Sequence, residues 1–441
     1  IFNKYSKNFL AYPLSIISGH INDLDVTTYK STSNALKTFF ESYLSRTRPS
    51  DKKQDGVFYT PESLTNFHVR VAYNAAEDCG LALDELKILD PAAGTGTYSL
   101  ALCGEYMKAL SSSERIRQLK RLQHLIDRVV SFEINEGAAL VASNKIRSYL
   151  DSEFSFKKSI SLKYFITDTL LSKNLTQRSG GFNEYIKDYQ TIIESAKKSG
   201  EINLIIGNPP FHLHKDISPI AQKKIGSKGG APISIRSDLD TVTSTLQKLG
   251  FNRDTKFLWD SAVFFLLWSI KRAENSYKSS GASSIVSLIL PRSLISSKFA
   301  TPIRERILSI SDYIQIIDLG GEHRGAVNEY NIFGILKAVC ILTFSINGKG
   351  TDSVKYAKIH ANNEADFVKV LSIDAKSVTY TNVKCTIDTN YSFVPDTGSD
   401  YPNFIDLREV TKQTLNGIQL KRLWPVGISR ETLQVRWRSL I

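Results

Sequence analysis

Cysteine is scarce in this 441-residue chain: four residues, at 79, 103, 340 and 385, with no CxxC pair and no Cys/His cluster. That argues against a disulfide framework or structural zinc site and fits a reducing cytoplasm; no metal is expected. No apolar run reaches the ~18 to 20 residues of a membrane span, and no signal peptide opens the chain. The longest candidate, Phe264 to Ile270, is short and runs into Lys271 and Arg272. There is no internal repeat, no low-complexity tract and no Walker A loop. Acidic residues are the scarcer charge, 44 Asp+Glu against 56 Lys+Arg, a net of +12. The excess is spread along the chain rather than gathered in a tail, as for a surface that meets a polyanion; a solvated basic surface is the alternative.

Apolar residues are plentiful: 42% hydrophobic against 23% charged is the balance of a folded protein with a real core. At about 100 to 200 residues per domain, the length suggests two or three domains. The chain begins at Ile1 without a methionine and stops at Arg438-Ser439-Leu440-Ile441, which suggests a segment of a larger polypeptide.

Residues 1–80 read as mostly helical, with apolar residues at three- and four-residue spacing (Leu36, Phe39, Phe40, Tyr43, Leu44). A polar connector, Arg46 to Gly56, precedes Val57-Phe58-Tyr59-Thr60-Pro61-Glu62. Thr60 before Pro61 predicts a helix start, with a capping hydroxyl and a proline at the first helical position, running to about Cys79. From residue 86 short apolar strands alternate with amphipathic helices. The strands are Leu86–Asp90, Arg128–Glu133, Lys163–Thr167, Ile202–Gly207, Ser284–Leu290 and Tyr313–Leu319. Two more, Ile335–Ser345 and the stretch near Lys355–Ile359, look antiparallel and edge-like. Helices fit at Tyr98–Leu110, Gly137–Leu150, Leu258–Asn275 and Ser296–Leu308, and Ser111–Asp127 reads as an inserted basic amphipathic helix. This alternation predicts a mostly parallel sheet covered on both faces. A long polar loop is expected around Lys215 to Asn252, and beyond about residue 350 the alternation fades. The expected units are a helical region 1–80, a catalytic domain 81–350, and 351–441 as linker and further unit.

Three features carry chemistry. The first strand ends at Asp90 and leads through Pro91-Ala92-Ala93-Gly94-Thr95-Gly96-Thr97 into a helix. Strand, glycine turn, helix brings a ligand against backbone N–H groups in an open α/β sheet. The third glycine of the dinucleotide fingerprint is missing. An acid beside the turn suits a ligand with a positive centre better than a pyrophosphate. The next two strands end in Glu133 and in Thr167-Asp168. Singly these are helix caps; together they line one crevice, where Glu133 could accept hydrogen bonds from two ribose hydroxyls. The fourth strand runs straight into Asn208-Pro209-Pro210-Phe211. Two prolines fix φ and remove two donors, leaving carbonyls beside the Asn208 amide. Such a pocket suits an amino group whose N–H groups must be accepted, so that its lone pair is freed and growing positive charge is offset. Phe211 offers a face for stacking a planar base, worth roughly 1 to 3 kcal/mol; a strand-ending turn with a core aromatic is the plainer alternative.

In this order, Phe58-Tyr59-Thr60-Pro61, Asp90-Pro91-Ala92-Ala93-Gly94-Thr95-Gly96, Phe132-Glu133, Asp168 and Asn208-Pro209-Pro210-Phe211 resemble the S-adenosylmethionine-dependent adenine-N6 DNA methyltransferases of gamma-class motif order. The resemblance covers roughly residues 55 to 345. Ser131-Phe132-Glu133-Ile134, Leu290-Pro291-Arg292 and Ile317-Asp318-Leu319-Gly320-Gly321 look like the methyltransferase part of type ISP-like single-chain restriction–modification enzymes. The resemblance implies an α/β fold: a Rossmann-like class I methyltransferase sheet, a helical N-terminal region and the start of a target-recognition region. It implies S-adenosylmethionine as cofactor, double-stranded DNA as partner, and fusion to nuclease, translocase and target-recognition domains. Tyr59, Thr60 and Pro61 would cover the methionine end of the cofactor, and Asp90 would pair with its ammonium. Ala92, Gly94 and Gly96 would shape that pocket, Glu133 would hold the ribose and Asp168 the adenine amino group. Asn208, Pro209, Pro210 and Phe211 would hold the flipped target adenine. Two departures stand out: the gap from Asp90 to Glu133 is wide, and Phe211 stands where tyrosine is commoner.

Protein glutamine-N5 methyltransferases use similar Asn-Pro-Pro loops, and a catalytically silent DNA-binding module with this fold is a further alternative. Lys215, Lys223, Lys224, Lys228 and Arg236 are candidate phosphate contacts, or solvated loop charge. His212 and His214 lack a third ligand for a metal, and His323-Arg324 follow the last parallel strand.

Overall fold

The computed structural model describes residues 60–109, 115–154, 162–170, 192–198, 200–211, 233–321, 329–335 and 337–395, and positions 431, 434, 435 and 438. Tyr59, the helical region expected before it, Lys215, Lys223, Lys224, Lys228, His212, His214 and His323-Arg324 lie outside the described residues.

The apolar runs read from the sequence become β1 (Ile88–Asp90), β2 (Val129–Glu133), β3 (Lys163–Ile166), β4 (Leu204–Gly207), β5 (Ser284–Pro291), β6 (Ile314–Asp318), β7 (Val339–Ile346), β8 (Ser353–Lys358) and β9 (Thr381–Lys384). All nine join one sheet in the order β3-β2-β1-β4-β5-β7-β6-β8-β9. Strands β3, β2, β1, β4 and β5 pair in parallel. β7 runs antiparallel to both β5 and β6, β8 is parallel to β6, and β9 closes the edge antiparallel to β8. The pleat sends alternate residues to opposite faces. Ile88, Leu204 and Ile206 enter one core cluster, and Leu89, Ile205 and Val286 the other.

Helices cover both faces. α1 (Glu62–Asp78), α2 (Thr97–Ala109) and α3 (Arg115–Ile126) bring Val69, Leu102 and Leu122 to the first cluster. α4 (Glu136–Phe154) adds Ile146. α5 (Arg236–Lys248) and α6 (Ser261–Ser280) bring Leu239, Val242, Leu246, Phe264 and Leu267 to the second. The basic helix expected at Ser111–Asp127 is α3, inserted between α2 and β2. Among the described residues no helix is long and apolar enough to cross a membrane.

Four expectations change. Ile335–Ser345 is antiparallel, but β7 sits between β5 and β6 with all eight residues buried, not at an edge. A run apolar on both faces is what a central position demands. The stretch near Lys355 is antiparallel only toward β9; it pairs in parallel with β6, and β9 rather than β8 forms the edge. The long loop ends early, because Leu239, Val242 and Leu246 at helical spacing fold α5 onto the core. Finally, β8, the helix Glu364–Leu371 and β9 continue the sheet past residue 350. The chain divides after Pro395, with Asp396–Ile441 as a second unit.

Candidate cofactor and amino-group site

The carboxyl ends of β1, β2, β3 and β4 share one edge, so the acids and the asparagine that end them are neighbours. The turn after β1 is bonded almost group by group. The Ala92 N–H donates to Asp90 Oδ1 (3.1 Å), the Ala93 N–H to the Phe132 carbonyl (2.9 Å) and the Gly94 N–H to Glu133 Oε2 (2.8 Å). The Tyr164 hydroxyl donates to the Gly94 carbonyl (2.6 Å) and the Thr169 hydroxyl to the Pro91 carbonyl (2.5 Å). Five bonds from three strand ends hold this loop in one shape.

Its two glycines do different work. Both have positive φ, +55° at Gly94 and +80° at Gly96, where a side chain is strained. A Cβ at Gly94 would meet nothing within 4 Å, so the turn opens onto free space there. At Gly96 it would lie 3.0 Å from the Ala142 Cβ and 3.2 Å from Ile146 Cδ1, so that glycine lets α4 pack close. A second close approach is Gly207, where a Cβ would stand 2.9 Å from Asp90 Oδ1.

Asp90 is fully buried, and its Oδ2 has no hydrogen-bond partner among the described residues. Burial, with Glu133 nearby, pushes its carboxyl up to about 8. Burial also raises Glu133, against the pull of the backbone N–H groups its two oxygens accept, Gly94 on one and Asn135 (2.7 Å) on the other. Asp168 stands where expected beyond β3; its Oδ1 accepts from the Leu170 N–H (2.9 Å). Its carbonyl accepts from Lys197 (2.5 Å), which burial lowers to about 8 and which also donates to the Thr167 hydroxyl (2.8 Å).

Asn208 follows β4 directly. Its Nδ2 donates to Thr60 Oγ1 (2.9 Å), whereas its Oδ1 is buried with no partner among the described residues. This corrects the role expected of Thr60 as a helix cap. α1 starts after Pro61 with no side-chain cap, and the hydroxyl is given to Asn208 instead. Two segments 148 residues apart are thereby joined. Pro209 is buried, Pro210 half-buried, and Phe211, 5% exposed, packs into the core rather than presenting an open face. Arg236 opens α5, half-buried. Sequence reading missed Tyr164, Thr169 and Lys197. Tyr164 lies beside Ser131 in the β2–β3 register, and only that pairing tells that its hydroxyl meets the glycine turn.

No family model matches the chain, and no curated protein is similar to it. Solved structures share its fold. The DrdV–DNA complex superposes with a TM-score of 0.66 at 18% identity, over 86% of this chain and 35% of that one. The ATP-dependent type ISP restriction–modification enzyme LlaBIII, bound to DNA, gives 0.66 at 17% identity over 87% of this chain and 25% of its own. A nuclease-deletion mutant of the type ISP enzyme LlaGI, with a DNA substrate mimic, gives 0.61 at 17% identity over 91% and 33%. The chain thus spans between a quarter and about a third of the length of each. The α/β sheet of the described residues shares its fold with these structures, two of them type ISP restriction–modification enzymes.

Proposed function

We propose that the chain is a DNA methyltransferase acting on adenine N6, which moves a methyl group from S-adenosylmethionine to a base extruded from the duplex. In this reading it is the modification part of a larger restriction–modification or phage-defence enzyme, fused to nuclease, translocase and target-recognition domains. The observation that carries the reading is a pair of buried acceptors without partners among the described residues, Asp90 Oδ2 and Asn208 Oδ1, at the ends of the adjacent strands β1 and β4. Buried polar atoms are nearly always hydrogen-bonded, and an unmet one costs about 1–3 kcal/mol or more. A buried carboxyl oxygen at the end of β1, with an open position at Gly94 in the turn that follows, fits an ammonium. An amide oxygen one strand away fits an amino group.

The residues present fit the cofactor. Asp90 takes its ammonium, the space over Gly94 admits its chain, Glu133 takes the ribose hydroxyls and Asp168 the adenine amino group. Ala92 and Gly96 shape the turn, and Tyr59, Thr60 and Pro61 cover the methionine end. When bound, S-adenosylmethionine supplies a methyl group already activated on a sulfonium. Asn208 Oδ1 accepts one N–H of the target amino group and the Pro209 carbonyl the other. Both contacts strengthen as the nitrogen becomes positive during attack, which is preorganised electrostatic stabilisation. With Nδ2 committed to Thr60, the Asn208 oxygen is held ready rather than free to swing. The base must leave the stack because its amino group is otherwise buried in pairing. The net charge of +12 serves the phosphate backbone, with Lys215, Lys223, Lys224, Lys228 and Arg236 as candidate contacts. That LlaBIII and the LlaGI mutant were solved with DNA or a DNA substrate mimic supports the choice of substrate.

Labelled S-adenosylmethionine, incubated with the chain and mixed-sequence DNA, should place label in DNA that maps to N6-methyladenine. Label in protein alone would favour a glutamine-N5 enzyme, and cofactor binding without transfer a silent module. Asn208→Ala should keep cofactor affinity within a few-fold and cost methyl transfer about 10²-fold or more.

A further inference from the structure

A second surface stands at the same edge of the sheet as Asp90 and Asn208. α6 ends at Ser280, just before β5 begins at Ser284, so the helix runs back along the sheet and its first residue, Ser261, lies at the carboxyl edge. The ion pair of Asp260 with Lys337 (3.0 Å) agrees, because Lys337 precedes β7, which starts opposite Pro291 at the end of β5. Two short helical segments therefore meet there: Asn252–Trp259, which leads into α6, and Lys298–Ala300, which follows β5. Phe257 of the first packs on Phe299 of the second, with ring centroids 5.7 Å apart. On the adjacent strand Gly207 pairs with Leu288, so Asn208 leaves the sheet at this edge too.

Charge on this surface is mainly positive. Arg253, Lys256 and Lys298 are all exposed, and among the described residues none of them is ion-paired. Neighbouring lysines with acids in reach use them, Lys271 on Asp238 (3.1 Å) and Lys337 on Asp260. From Lys248 to Trp259 the one acid is Asp254, and from Pro291 to Arg304 there is none. Two of the cations rest on aromatic faces instead. Lys256 Nζ lies 5.0 Å from the centre of the Phe257 ring, and Lys298 Nζ 5.3 Å from that of Phe251. Such a contact is worth about 0.5–1 kcal/mol at an exposed site, and it steadies a long side chain while its ammonium stays in water. The N–H donors of the ammonium remain for an anion. Phe257 is itself 38% exposed, an apolar ring among cations. A sugar–phosphate backbone meets both features, because apolar sugar faces alternate with phosphates; an acidic peptide would answer the charge alone.

We propose that Arg253, Lys256 and Lys298, with the rings of Phe251 and Phe257, form a contact surface for the sugar–phosphate backbone of duplex DNA beside the extruded base. The surface rests on the DNA reading proposed above and adds to it the residues that seat the strand. Phosphate contacts position a duplex without reading its sequence. Here they hold the backbone at the edge where Asn208 receives the base.

Fluorescence anisotropy with a labelled mixed-sequence duplex, on the full chain over a series of salt concentrations, tests the surface. Each phosphate contact contributes about 0.9 to the slope of log K against log salt. Arg253→Gln/Lys256→Gln/Lys298→Gln should therefore bind with a slope shallower by about 3, and at least about tenfold more weakly at ~0.1 M salt. Each single variant should account for about one unit of that slope. Lys278→Gln, an exposed lysine near the other end of α6, should leave the slope unchanged. Thermal unfolding and S-adenosylmethionine binding should match the parent's in every variant, since none touches the cofactor site. Parental slope and affinity in the triple and single variants, from a parent that still methylates the duplex, overturn the surface alone. An equal change in Lys278→Gln overturns it as well, because the effect would then be one of general charge. A parent that neither binds nor methylates duplex DNA overturns the DNA reading itself, and this surface with it.

Discussion

A carboxyl sealed from water with one oxygen unmet titrates late, and Asp90, pushed up to about 8, has two opposite consequences for pH. Its folded value lies above the ordinary 3.8, so the stability it contributes is complete below that value and is lost as pH rises through about 8. Each unit in that window costs up to about 1.4 kcal/mol. An ammonium ligand needs the ionised form, so its affinity should climb between pH 6 and about 8 and then level off. Calorimetry across that range checks it, and a flat profile would show that no cation meets Asp90. Asp90, Glu133 and Asn208 were legible in the sequence because each ends an apolar strand, and strand ends meet at one edge. The partnership of Asn208 with Thr60 was not, since nothing local in Thr60-Pro61-Glu62 separates a capping hydroxyl from one lent to a residue 148 positions away. The inward packing of Phe211 was equally out of reach, because it depends on the core that surrounds it.

At the scale of elements, the glycine turn joins a rigid loop to a tightly packed helix, and its two glycines should fail differently. Gly96→Ala forces a Cβ to 3.0 Å from Ala142 at φ +80°. Overpacking and backbone strain together should cost about 2–4 kcal/mol in denaturant unfolding. Gly94→Ala meets no atom, so its stability cost should stay near about 1 kcal/mol from φ alone. Its methyl group, however, projects into the space assigned to the cofactor and should lower affinity at least about tenfold, a loss of roughly 1.4 kcal/mol. Equal effects of the two variants on stability would remove the distinction. The sequence showed the turn and the alternation around it, and eight of the strands, β1 to β8, to within four residues, because their apolar runs are bounded by turn residues. It hid α5, whose spacing of Leu239, Val242 and Leu246 is diluted by Asp238, Asp240 and the threonines between. It hid the place of β7 as well, since strand order is decided by pairing and not by composition.

Over the whole molecule, the unit that folds together reaches Pro395. Val354, Tyr356, Phe367, Leu371, Val383 and Phe393 all lie buried in the main core, and the Phe393 N–H donates to the Ile295 carbonyl (2.9 Å). The buried Arg304 guanidinium donates to the carbonyls of Tyr391 (2.9 Å) and Asn390 (2.7 Å). A chain ending at residue 350 loses these, at roughly 1.5–3 kcal/mol per large apolar side chain, more than a domain's usual 5–15 kcal/mol can absorb. It should aggregate, whereas a chain ending at residue 395 should unfold cooperatively; circular dichroism melts of the two compare them. The position of β7 adds a constraint in time. During synthesis β5 emerges with β4 already beside it, but its other neighbour lies beyond Pro291, past all of β6, and is complete only at Ile346. Until then β6 has no strand to join, and one edge of β5, a strand whose eight residues are all buried in the finished sheet, stays unpaired, the kind of surface that recruits other chains. β7 is therefore the latch of the sheet: the half that carries β6, β8 and β9 can close only in one late step, and slow translation before residue 346 prolongs the interval in which this protein is most exposed to misassembly.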